Sequence, residues 1–341
     1  MKEIVKELLR HLNSGRQAAL VSQYGEKGIV RSLVCEDEPR AWRALEDETE
    51  GDAVAGLTLI RKGQTMTLVE RFTPKPRLLV LGGGHIAQPV CHLGARLGFE
   101  VTVYDDRPSF ANSLRFPEAA EVICDSFENV QNRLGFRERD YVVIVTRGHR
   151  HDSLCLRGLL LGTWPRYVGM IGSRRRVAIV KQQLAAETGA PNRLEQLHAP
   201  IGLPIGAVTP EEIGLSILAE MVQAKRLGAA SSARETYPDM ELMEWLGRER
   251  SEAAALITIV AAKGSTPREV GAKMAVTALG QTVGSIGGGC AESEVIQRAR
   301  RVLRDKDYCL MEVDMTDTAE EDGMVCGGTM QVLIEAAEPA E

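Results

Sequence analysis

Two cysteines flanked by glycines are the residues of this sequence whose chemistry is easiest to infer. Cys290 follows Gly287, Gly288 and Gly289 at the predicted start of a helix, and Cys326 is followed by two further glycines. A thiolate at a helix N-terminus is stabilised by free N–H groups and by the helix dipole, and neighbouring glycines leave it accessible. We therefore interpret these five residues as a candidate binding site. The alternative for any single cysteine is a small buried hydrophobic side chain.

A glycine-rich turn at 82–87 has the pattern G-x-G-x-x-A between a predicted strand and a predicted helix. In that pattern Gly82 allows the tight turn and Gly84 lets the backbone approach a pyrophosphate at the helix N-terminus. Asp105 ends the next predicted strand, where a carboxylate can bond ribose hydroxyls. His85 is a further candidate ligand, with a solvent-exposed residue at the helix start as its alternative. The turn predicts a dinucleotide-type site.

Two more polar loops follow predicted buried strands, so they belong to the same edge of a parallel sheet. Ser173, Arg174 and Arg175 follow a glycine at a helix start, which suits a phosphate, although a capped helix with solvated arginines is the alternative. The loop 146–152 (TRGHRHD) contains two histidines and one aspartate. We favour an anion-facing loop over a metal site there, because its two arginines would repel a cation.

A sheet is needed to position these loops, and the middle of the chain predicts one. Short runs of Val, Ile and Leu without polar alternation are typical of parallel strands covered on both faces, and here they alternate with helical stretches. This pattern predicts a doubly wound, Rossmann-type α/β domain. Thr209-Pro210-Glu211-Glu212 predicts the start of its last helix. The predicted strands are 77–81, 100–104, 121–124, 141–146 and 167–171.

The chain divides at a proline-rich connector (73–77) and at a small, polar stretch near 228–240. The outer segments resemble each other at 18–28 and 254–264, and again at 64–70 and 328–335. We interpret the last segment as a smaller α/β domain and the first as its degenerate repeat, with chance similarity as the alternative. The predicted domains are 1–73, 77–228 and 240–341.

Composition excludes several classes of protein. The chain has 341 residues, 44% of them hydrophobic and 26% charged, which is ordinary for globular domains. A net charge of −6 without a long basic run argues against nucleic acid as a partner. No apolar run approaches the roughly 20 residues of a membrane span, and the N-terminus lacks a signal-peptide pattern. We therefore expect a cytoplasmic protein whose seven cysteines are mostly free thiols.

Long segments of the chain, including most of these motifs, resemble the XdhC/CoxI family. In the C-terminal part the resemblance rests on GSTPREVGAKM (264–274), GSIGGGCAE (284–292) and CGGTMQVLIE (326–335). In the middle part it rests on RLLVLGGGHIAQPV (77–90), VTVYDDRP (101–108), YVGMIGSRRR (167–176) and IGLPIGAVTPEEIGLSILAE (201–220). Here the cysteine-bearing domain follows the Rossmann-type domain, which reverses the common order of the family.

The resemblance implies an accessory factor of molybdenum hydroxylases rather than an enzyme. Members of the family bind the molybdenum cofactor, protect it, assist its sulfuration through a cysteine desulfurase, and hand it to xanthine dehydrogenase or to a related hydroxylase such as an aldehyde oxidoreductase. The family's cysteines fall on Cys290 and Cys326, with Cys290 as the expected contact of the molybdenum. The molybdopterin phosphate, or a cytosine dinucleotide form of the cofactor, is expected at the Rossmann-type sheet edge and at the helix start 173–176.

Two other functions stay open at this point. One is a nicotinamide-dependent oxidoreductase that binds NAD(P) and uses His85 or His149 as proton donor, although no complete acid/base set accompanies them. The other is a redox or metal-storage module that uses Cys290 and Cys326 as a pair. The sequence does not define the oligomeric state, although an accessory protein with an open glycine-rich site is compatible with a homodimer.

Overall fold

The structure is a computed structural model that describes residues 1–26, 28–49, 56–63, 65–227, 237–248, 252–315 and 328–337. For residues 48 and 289–291 it describes the backbone but not the side chains. Within these ranges no helix is both long enough and apolar enough to cross a membrane.

The N-terminal segment forms an antiparallel sheet with two helices. Its first helix is amphipathic, because Val5, Leu8 and Leu12 recur at helical spacing and are buried. The sheet has the strand order β2-β1-β4-β3. The elements are α1 (Lys2–Asn13), β1 (Ala18–Gly25), β2 (Gly28–Cys35), α2 (Pro39–Thr49), β3 (Leu57–Lys62) and β4 (Thr65–Phe72).

The middle segment forms the predicted parallel sheet, which confirms the Rossmann-type fold. Its strand order is β7-β6-β5-β8-β9, and all four strand pairs are parallel. Helices cover both faces, α3 and α8 on one and α4 to α6 on the other. The elements are β5 (Arg77–Leu81), α3 (Ala87–Arg96), β6 (Glu100–Asp105), β7 (Glu121–Cys124), α4 (Val130–Leu134), β8 (Tyr141–Ile144), α5 (His149–Leu161), β9 (Tyr167–Met170), α6 (Arg174–Thr188), α7 (Pro191–Glu195) and α8 (Pro210–Leu227).

The helix start predicted at Thr209 is a capping box. The Thr209 hydroxyl accepts from the Glu212 N–H at 3.3 Å, and the Glu212 carboxylate accepts from the Thr209 N–H at 3.0 Å. By contrast, the prediction of a loop over 146–152 is wrong in part. Helix α5 already begins at His149, because the extended residue Gly148 ends the loop and serves as its N-cap.

The C-terminal segment forms a second antiparallel sheet, with the strand order β12-β11-β10-β14-β13. The buried residues Val295, Ala299 and Val302 recur at helical spacing, so that α10 lies against this sheet. The elements are α9 (Met240–Gly247), β10 (Ala254–Gly264), β11 (Lys273–Thr277), β12 (Thr282–Gly284), α10 (Gly289–Asp305), β13 (Tyr308–Asp314) and β14 (Gly328–Ala337).

The three segments form two compact units. The Rossmann unit is Lys75–Ser231, and the outer unit combines Met1–Pro74 with Ser232–Glu341. In the outer unit the two antiparallel sheets face each other through shared apolar clusters, while α2 covers the outer face of one sheet and α10 that of the other. We call its two parts the N-terminal half and the C-terminal half.

The two halves of the outer unit share the order of four strands, although the C-terminal sheet also contains β12. They also share the strand register up to an irregularity between Ile259 and Ala261 of β10. The order β2-β1-β4-β3 matches β11-β10-β14-β13, and a helix joins the second strand to the third in both halves. Leu20 pairs with Glu70 as Leu256 pairs with Glu335. The similar sequence segments therefore fall on equivalent strands, as expected for a repeat.

Two buried ion pairs join the halves at equivalent positions. Ser22 pairs with Arg31 in the first sheet as Thr258 pairs with Lys273 in the second, so the two cations are equivalent. Each cation reaches the glutamate of the other half. Lys273 Nζ lies 2.5 Å from Glu70 Oε1, and Arg31 Nη2 lies 2.6 Å from Glu335 Oε2.

Candidate functional site

The glycine turn of the Rossmann unit has the geometry that its sequence predicts. Gly82 has φ +116°, and a Cβ there would lie 2.5 Å from the Val145 carbonyl oxygen. A Cβ on Gly83 would lie 2.3 Å from the Phe110 carbonyl oxygen, whereas a Cβ on Gly84 would meet no atom within 4 Å. The backbone at Gly84 is therefore open to a ligand. His85 is exposed in the turn before α3.

Asp105 lies at the same edge of the sheet as the turn, which confirms its predicted position. Its carboxylate accepts from the Gly83 N–H at 2.8 Å, from the Arg107 N–H at 3.0 Å, and from the Arg107 guanidinium at 2.8 and 2.9 Å. Burial alone would raise the pKa of Asp105, but these bonds hold it below its usual value. Each oxygen accepts two hydrogen bonds, which uses the roughly four lone-pair positions of a carboxylate.

The neighbouring side chains continue this polar network around the turn. Arg147 donates to both Asp106 carboxylate oxygens at 2.9 Å, joining the loops that follow β6 and β8. Strand β5 lies between those two strands, so this pair crosses the sheet edge beside the turn. Arg115 Nε donates to the Gly83 carbonyl oxygen at 3.1 Å. Three arginines of this edge are thus engaged by groups of the chain itself.

The arginine-rich helix start lies beside a surface pocket at the same edge. Ser173 caps α6, since its hydroxyl accepts from the Arg176 N–H at 3.3 Å. A pocket of about 430 Å³ lies between α5 and α6, and His149, Ser153, Ser173, Arg175 and Arg176 are among its lining residues. Arg174 is exposed and is not part of that lining. The pocket presents cations and hydroxyls at two helix N-termini, an arrangement that suits an anion.

The buried Asp152 binds Arg176, one of the residues that line this pocket. It is fully buried, accepts from the Thr146 hydroxyl at 2.5 Å, and is paired with the Arg176 guanidinium. Burial raises its pKa despite both partners. Asp152, in the first turn of α5, is thus engaged by Thr146 and Arg176.

The C-terminal half positions the glycine-cysteine motif at a helix start, as the sequence predicts. Helix α10 begins at Gly289 with Gly288 as its N-cap, so Cys290 is its second residue. Gly287 and Gly288 have φ values of +138° and +77°. The side chain of Cys290 and the whole of Cys326 lie outside the described residues, and their roles stay predictions.

A glutamate in the first turn of α10 holds the glycine loop in place. Glu292 Oε1 accepts from the Ser285 hydroxyl at 2.7 Å and from the N–H groups of Ile286 and Gly287 at 3.0 and 3.2 Å. Burial would raise the pKa of Glu292, but these bonds and one from the Gly288 N–H lower it. The loop before Cys290 is therefore tied to the helix that carries it.

The loop 264–268 (GSTPR) contacts both cysteine motifs. A Cβ on Gly287 would lie 2.7 Å from Pro267 Cβ, and one on Gly328 would lie 2.6 Å from the Ser265 carbonyl oxygen. Arg268 Nε lies 3.4 Å from the Ser285 carbonyl oxygen. The loop 264–268 thus contacts the backbone at Gly287, which is three residues before Cys290, and at Gly328, which is two residues after Cys326.

Comparison with family models assigns these two regions. Residues 78–221 match the XdhC Rossmann domain, and residues 248–314 match the XdhC and CoxI family. The chain belongs to the XdhC/CoxI family. The first match lies in the Rossmann unit. The second includes the loop 264–268 and the glycine-cysteine motif, so the family segments coincide with the sites described above.

Two curated relatives and one solved structure are similar to this family member. A probable xanthine dehydrogenase subunit of Bacillus subtilis (strain 168) is 33% identical over 162 residues, covering 48% of this chain and 47% of that protein. "Uncharacterized protein YqeB" of Escherichia coli (strain K12) is 33% identical over 152 residues, covering 44% of this chain and 28% of that protein. The matches thus span less than half of either relative. A crystal structure described as a xanthine dehydrogenase from Bacillus halodurans has a TM-score of 0.53 and 26% identity, covering 67% of this chain and 66% of that one.

Sequence reasoning missed the roles of three residues that organise these sites, although it had included Arg176 in the helix start 173–176 expected to bind phosphate. Glu292 was identifiable as an acid in the first turn of the helix after the glycines, where its carboxylate can reach back to loop N–H groups. Arg107 and Arg176 carried no such signal. Arg107 pairs with Asp105 and Arg176 pairs with Asp152. These pairs form only because the loops pack together in the folded protein.

Proposed function

We propose that this protein is an accessory factor that binds the molybdenum cofactor and delivers it to a molybdenum hydroxylase. The family membership supports the accessory role, as do a relative and a solved structure whose names refer to xanthine dehydrogenase. Xanthine dehydrogenase or an aldehyde oxidoreductase is the proposed client. Protection of the cofactor, its sulfuration with a cysteine desulfurase, and its insertion into the client are the proposed steps.

The single observation that carries this proposal is the convergence of loops in the C-terminal half. The helix begins at Gly289, Glu292 bonds to the glycine loop, and the loop 264–268 contacts it, so that Cys290 follows a glycine turn with several hydrogen bonds and contacts. A helix N-terminus favours the thiolate form, and a soft thiolate suits sulfur-ligated molybdenum. We propose Cys290 as the molybdenum ligand, with Cys326 beside it. The residues present fit this cargo, because an open turn with a thiolate can also release it.

The Rossmann unit is proposed to bind the phosphate-bearing part of the cofactor, in its molybdopterin or cytosine dinucleotide form. The open backbone at Gly84 and the arginine-lined pocket between α5 and α6 support an anionic ligand. Ser173 and Arg175 would bind it, and Arg174 would add charge at the rim.

An NAD(P)-dependent oxidoreductase is the weaker alternative, because Asp105 has no acceptor position left for ribose hydroxyls. If the oxidoreductase alternative held, Arg107→Ala would free two acceptor positions of Asp105 and tighten NAD binding measured by calorimetry. Unchanged and weak binding in both proteins supports the accessory function. Tight binding by the wild type would support the oxidoreductase.

The ligand content of protein purified from a molybdenum-proficient host tests the proposed function. We expect pterin fluorescence after oxidation, together with molybdenum, in the wild-type protein. Replacing Cys326 by Ser should reduce both in part. Bound NAD(P) without pterin would favour the oxidoreductase, and a reversible disulfide without either ligand would favour a redox module.

A further inference from the structure

A mixed donor cluster lies in the N-terminal half, away from every motif of the family resemblance. His11 is in the last turn of α1, Cys35 is the last residue of β2, and Asp37 follows in the next turn. Their ligand nitrogen, sulfur and oxygen atoms all lie within 4.8 Å of one another. Cys35 is buried and Asp37 is exposed, so the cluster opens to solvent on one side.

A second observation indicates that this cluster is incomplete without a ligand. His11 Nδ1 is buried and has no hydrogen-bond partner. A buried polar atom without a partner costs about 1–3 kcal/mol, so an imidazole is seldom left in this state without a reason. A metal ion beside the ring is one such reason, because a bound metal fixes which nitrogen carries the proton and which one ligates.

The backbone around the cluster is held in place by hydrogen bonds. The Arg16 N–H donates to the His11 carbonyl oxygen at 3.1 Å, and the Glu36 N–H donates to the Gln17 carbonyl oxygen at 3.1 Å. These bonds tie the connection between α1 and β1 to both ligand-bearing elements. His11 and Cys35 are therefore presented by a helix and a strand, as suits a metal site, and Asp37 lies in the turn that follows the strand.

The charge around the cluster is negative, which favours a cation. Asp37, Glu38 and Glu7 lie close enough to Cys35 to act on it electrostatically. Glu7 lies four residues before His11 on α1, hence on the same helix face. Arg16 is the opposing cation. It is paired with Asp37 and would have to release that carboxylate to a metal.

We propose that His11, Cys35 and Asp37 bind a borderline-soft divalent cation of the zinc class. Imidazole, thiolate and carboxylate together are a zinc ligand set, and tetrahedral zinc separates its ligand atoms by roughly 3.3–3.8 Å. A small contraction of the present cluster reaches that spacing. Three protein ligands leave the fourth position to water or to Glu7. The bound ion would link the last turn of α1 to the end of β2 through His11 and Cys35.

The proposed metal site is specific to the N-terminal half and independent of the proposed cofactor function. Ala18 pairs with Cys35 as Ala254 pairs with Thr277, so the equivalent position in the repeat holds a threonine. The two metal hypotheses therefore concern different thiols in different halves. They can be separated by substituting one set of cysteines at a time.

Cobalt binding to the metal-free full-length protein tests the site. We expect one equivalent of Co²⁺ per chain with a thiolate-to-cobalt charge-transfer band, and displacement of that band by Zn²⁺. Cys35→Ser should abolish the band. His11→Gln should weaken Co²⁺ binding by more than the roughly 10–100-fold cost of an outer-shell change. Arg16→Gln should tighten it, because Asp37 is released.

Two matched controls identify the thiol. Cys309→Ser changes a half-buried thiol of the same unit that is bonded to Arg298 Nε, and it should keep the band. The double variant Cys290→Ser/Cys326→Ser should keep it as well. Absence of Co²⁺ and Zn²⁺ binding by the wild type at micromolar concentration would overturn the proposal. So would a full band in Cys35→Ser, or, should that variant fail to fold, wild-type affinity in His11→Gln.

Discussion

The two halves of the outer unit have the same sheet but different connections between strands. In the N-terminal half β1 ends at Gly25 and β2 begins at Gly28, whereas in the C-terminal half the loop between Gly264 and Lys273 carries the STPR segment. Similarly, β3 and β4 are joined at 62–65, whereas β13 and β14 are joined by 314–328, which contains Cys326. The two halves thus share the strands that form the core. They differ in the connections between strands, which in the C-terminal half carry the candidate site residues.

This difference indicates that the residues that build the core of this unit are separate from the candidate site residues. The equivalent pairs Arg31–Glu335 and Lys273–Glu70 join the halves through the apolar layer between the sheets. Helix α10, which begins after the glycine loop, packs on the other face of the C-terminal sheet. The N-terminal half can therefore lose the cysteine motifs and still complete the core of its partner half.

The largest expected effect comes from breaking one of the two equivalent ion pairs. Lys273→Met leaves Glu70 buried without its cation and should destabilise the protein by about 3–5 kcal/mol. Arg31→Met should cost less, because the Tyr24 hydroxyl still donates to Glu335 at 2.8 Å. The midpoint of urea denaturation measures both losses.

A double variant controls for the change in packing. Glu70→Leu/Lys273→Met should recover most of the loss, because no unpaired charge remains. Equal losses of stability in both single variants would mean that the Tyr24 hydroxyl does not compensate for the loss of Arg31. No recovery in the double variant would mean that the unpaired charge of Glu70 is not the cause of the loss.

The second prediction compares a glycine in each half. Gly287→Ala adds a Cβ about 2.7 Å from Pro267 Cβ at a φ of +138°, which should cost about 1–3 kcal/mol and shift the glycine-cysteine loop. Gly63→Ala, at a φ of +61° with no atom within 4 Å, should cost about 1 kcal/mol. Thermal denaturation and pterin content measure the two effects. Loss of pterin in the Gly63 variant would contradict the proposal that the candidate cofactor site of the outer unit lies in the C-terminal half.

The third prediction concerns Glu292 in the first turn of α10, in the C-terminal half. Its pKa is lowered in the folded protein, so its contribution to stability is present above the ordinary carboxyl pKa and is lost as the pH falls through the lowered value. Glu292→Gln should remove that pH dependence and cost about 1–2 kcal/mol. Denaturation midpoints between pH 7 and about pH 3 compare the two proteins. Parallel curves would show that the carboxylate does not hold the loop.

The smallest expected effect comes from an exposed contact between the halves. Arg61 Nη2 donates to Gln331 Oε1 at 2.9 Å near the surface. Arg61→Ala should change the free energy of unfolding by less than about 0.5 kcal/mol. A loss as large as that of Lys273→Met would show that the buried pairs do not dominate the interface.

Much of the architecture was predictable because it depends on local patterns. Buried runs of Val, Ile and Leu identify the parallel strands, and the glycine pattern identifies the turn at Gly82. The repeat was visible as similar segments on strands that prove equivalent in register. The helix start before Cys290 was likewise predicted from three glycines.

The rest depends on contacts between residues that are distant in the sequence. Nothing local to Lys273 indicates that its partner is Glu70, and nothing local to Asp105 shows that Arg107 uses its acceptors. The packing of residues 1–74 against 232–341 as one unit follows from an apolar face shared by two sheets. The cluster of His11 and Cys35 arises where a helix end meets a strand end.

The cofactor content of single cysteine variants tests the central claim most directly. The claim is that, of the two halves of the outer unit, only the C-terminal half supplies the proposed molybdenum ligand. Molybdenum and pterin are measured per chain in purified Cys290→Ser, Cys35→Ser and Cys309→Ser. We expect Cys290→Ser to lose both, because the thiolate at the start of α10 is the proposed ligand. Cys35→Ser and Cys309→Ser should keep the wild-type content. A wild-type load in Cys290→Ser, or its loss in Cys35→Ser, would contradict the claim.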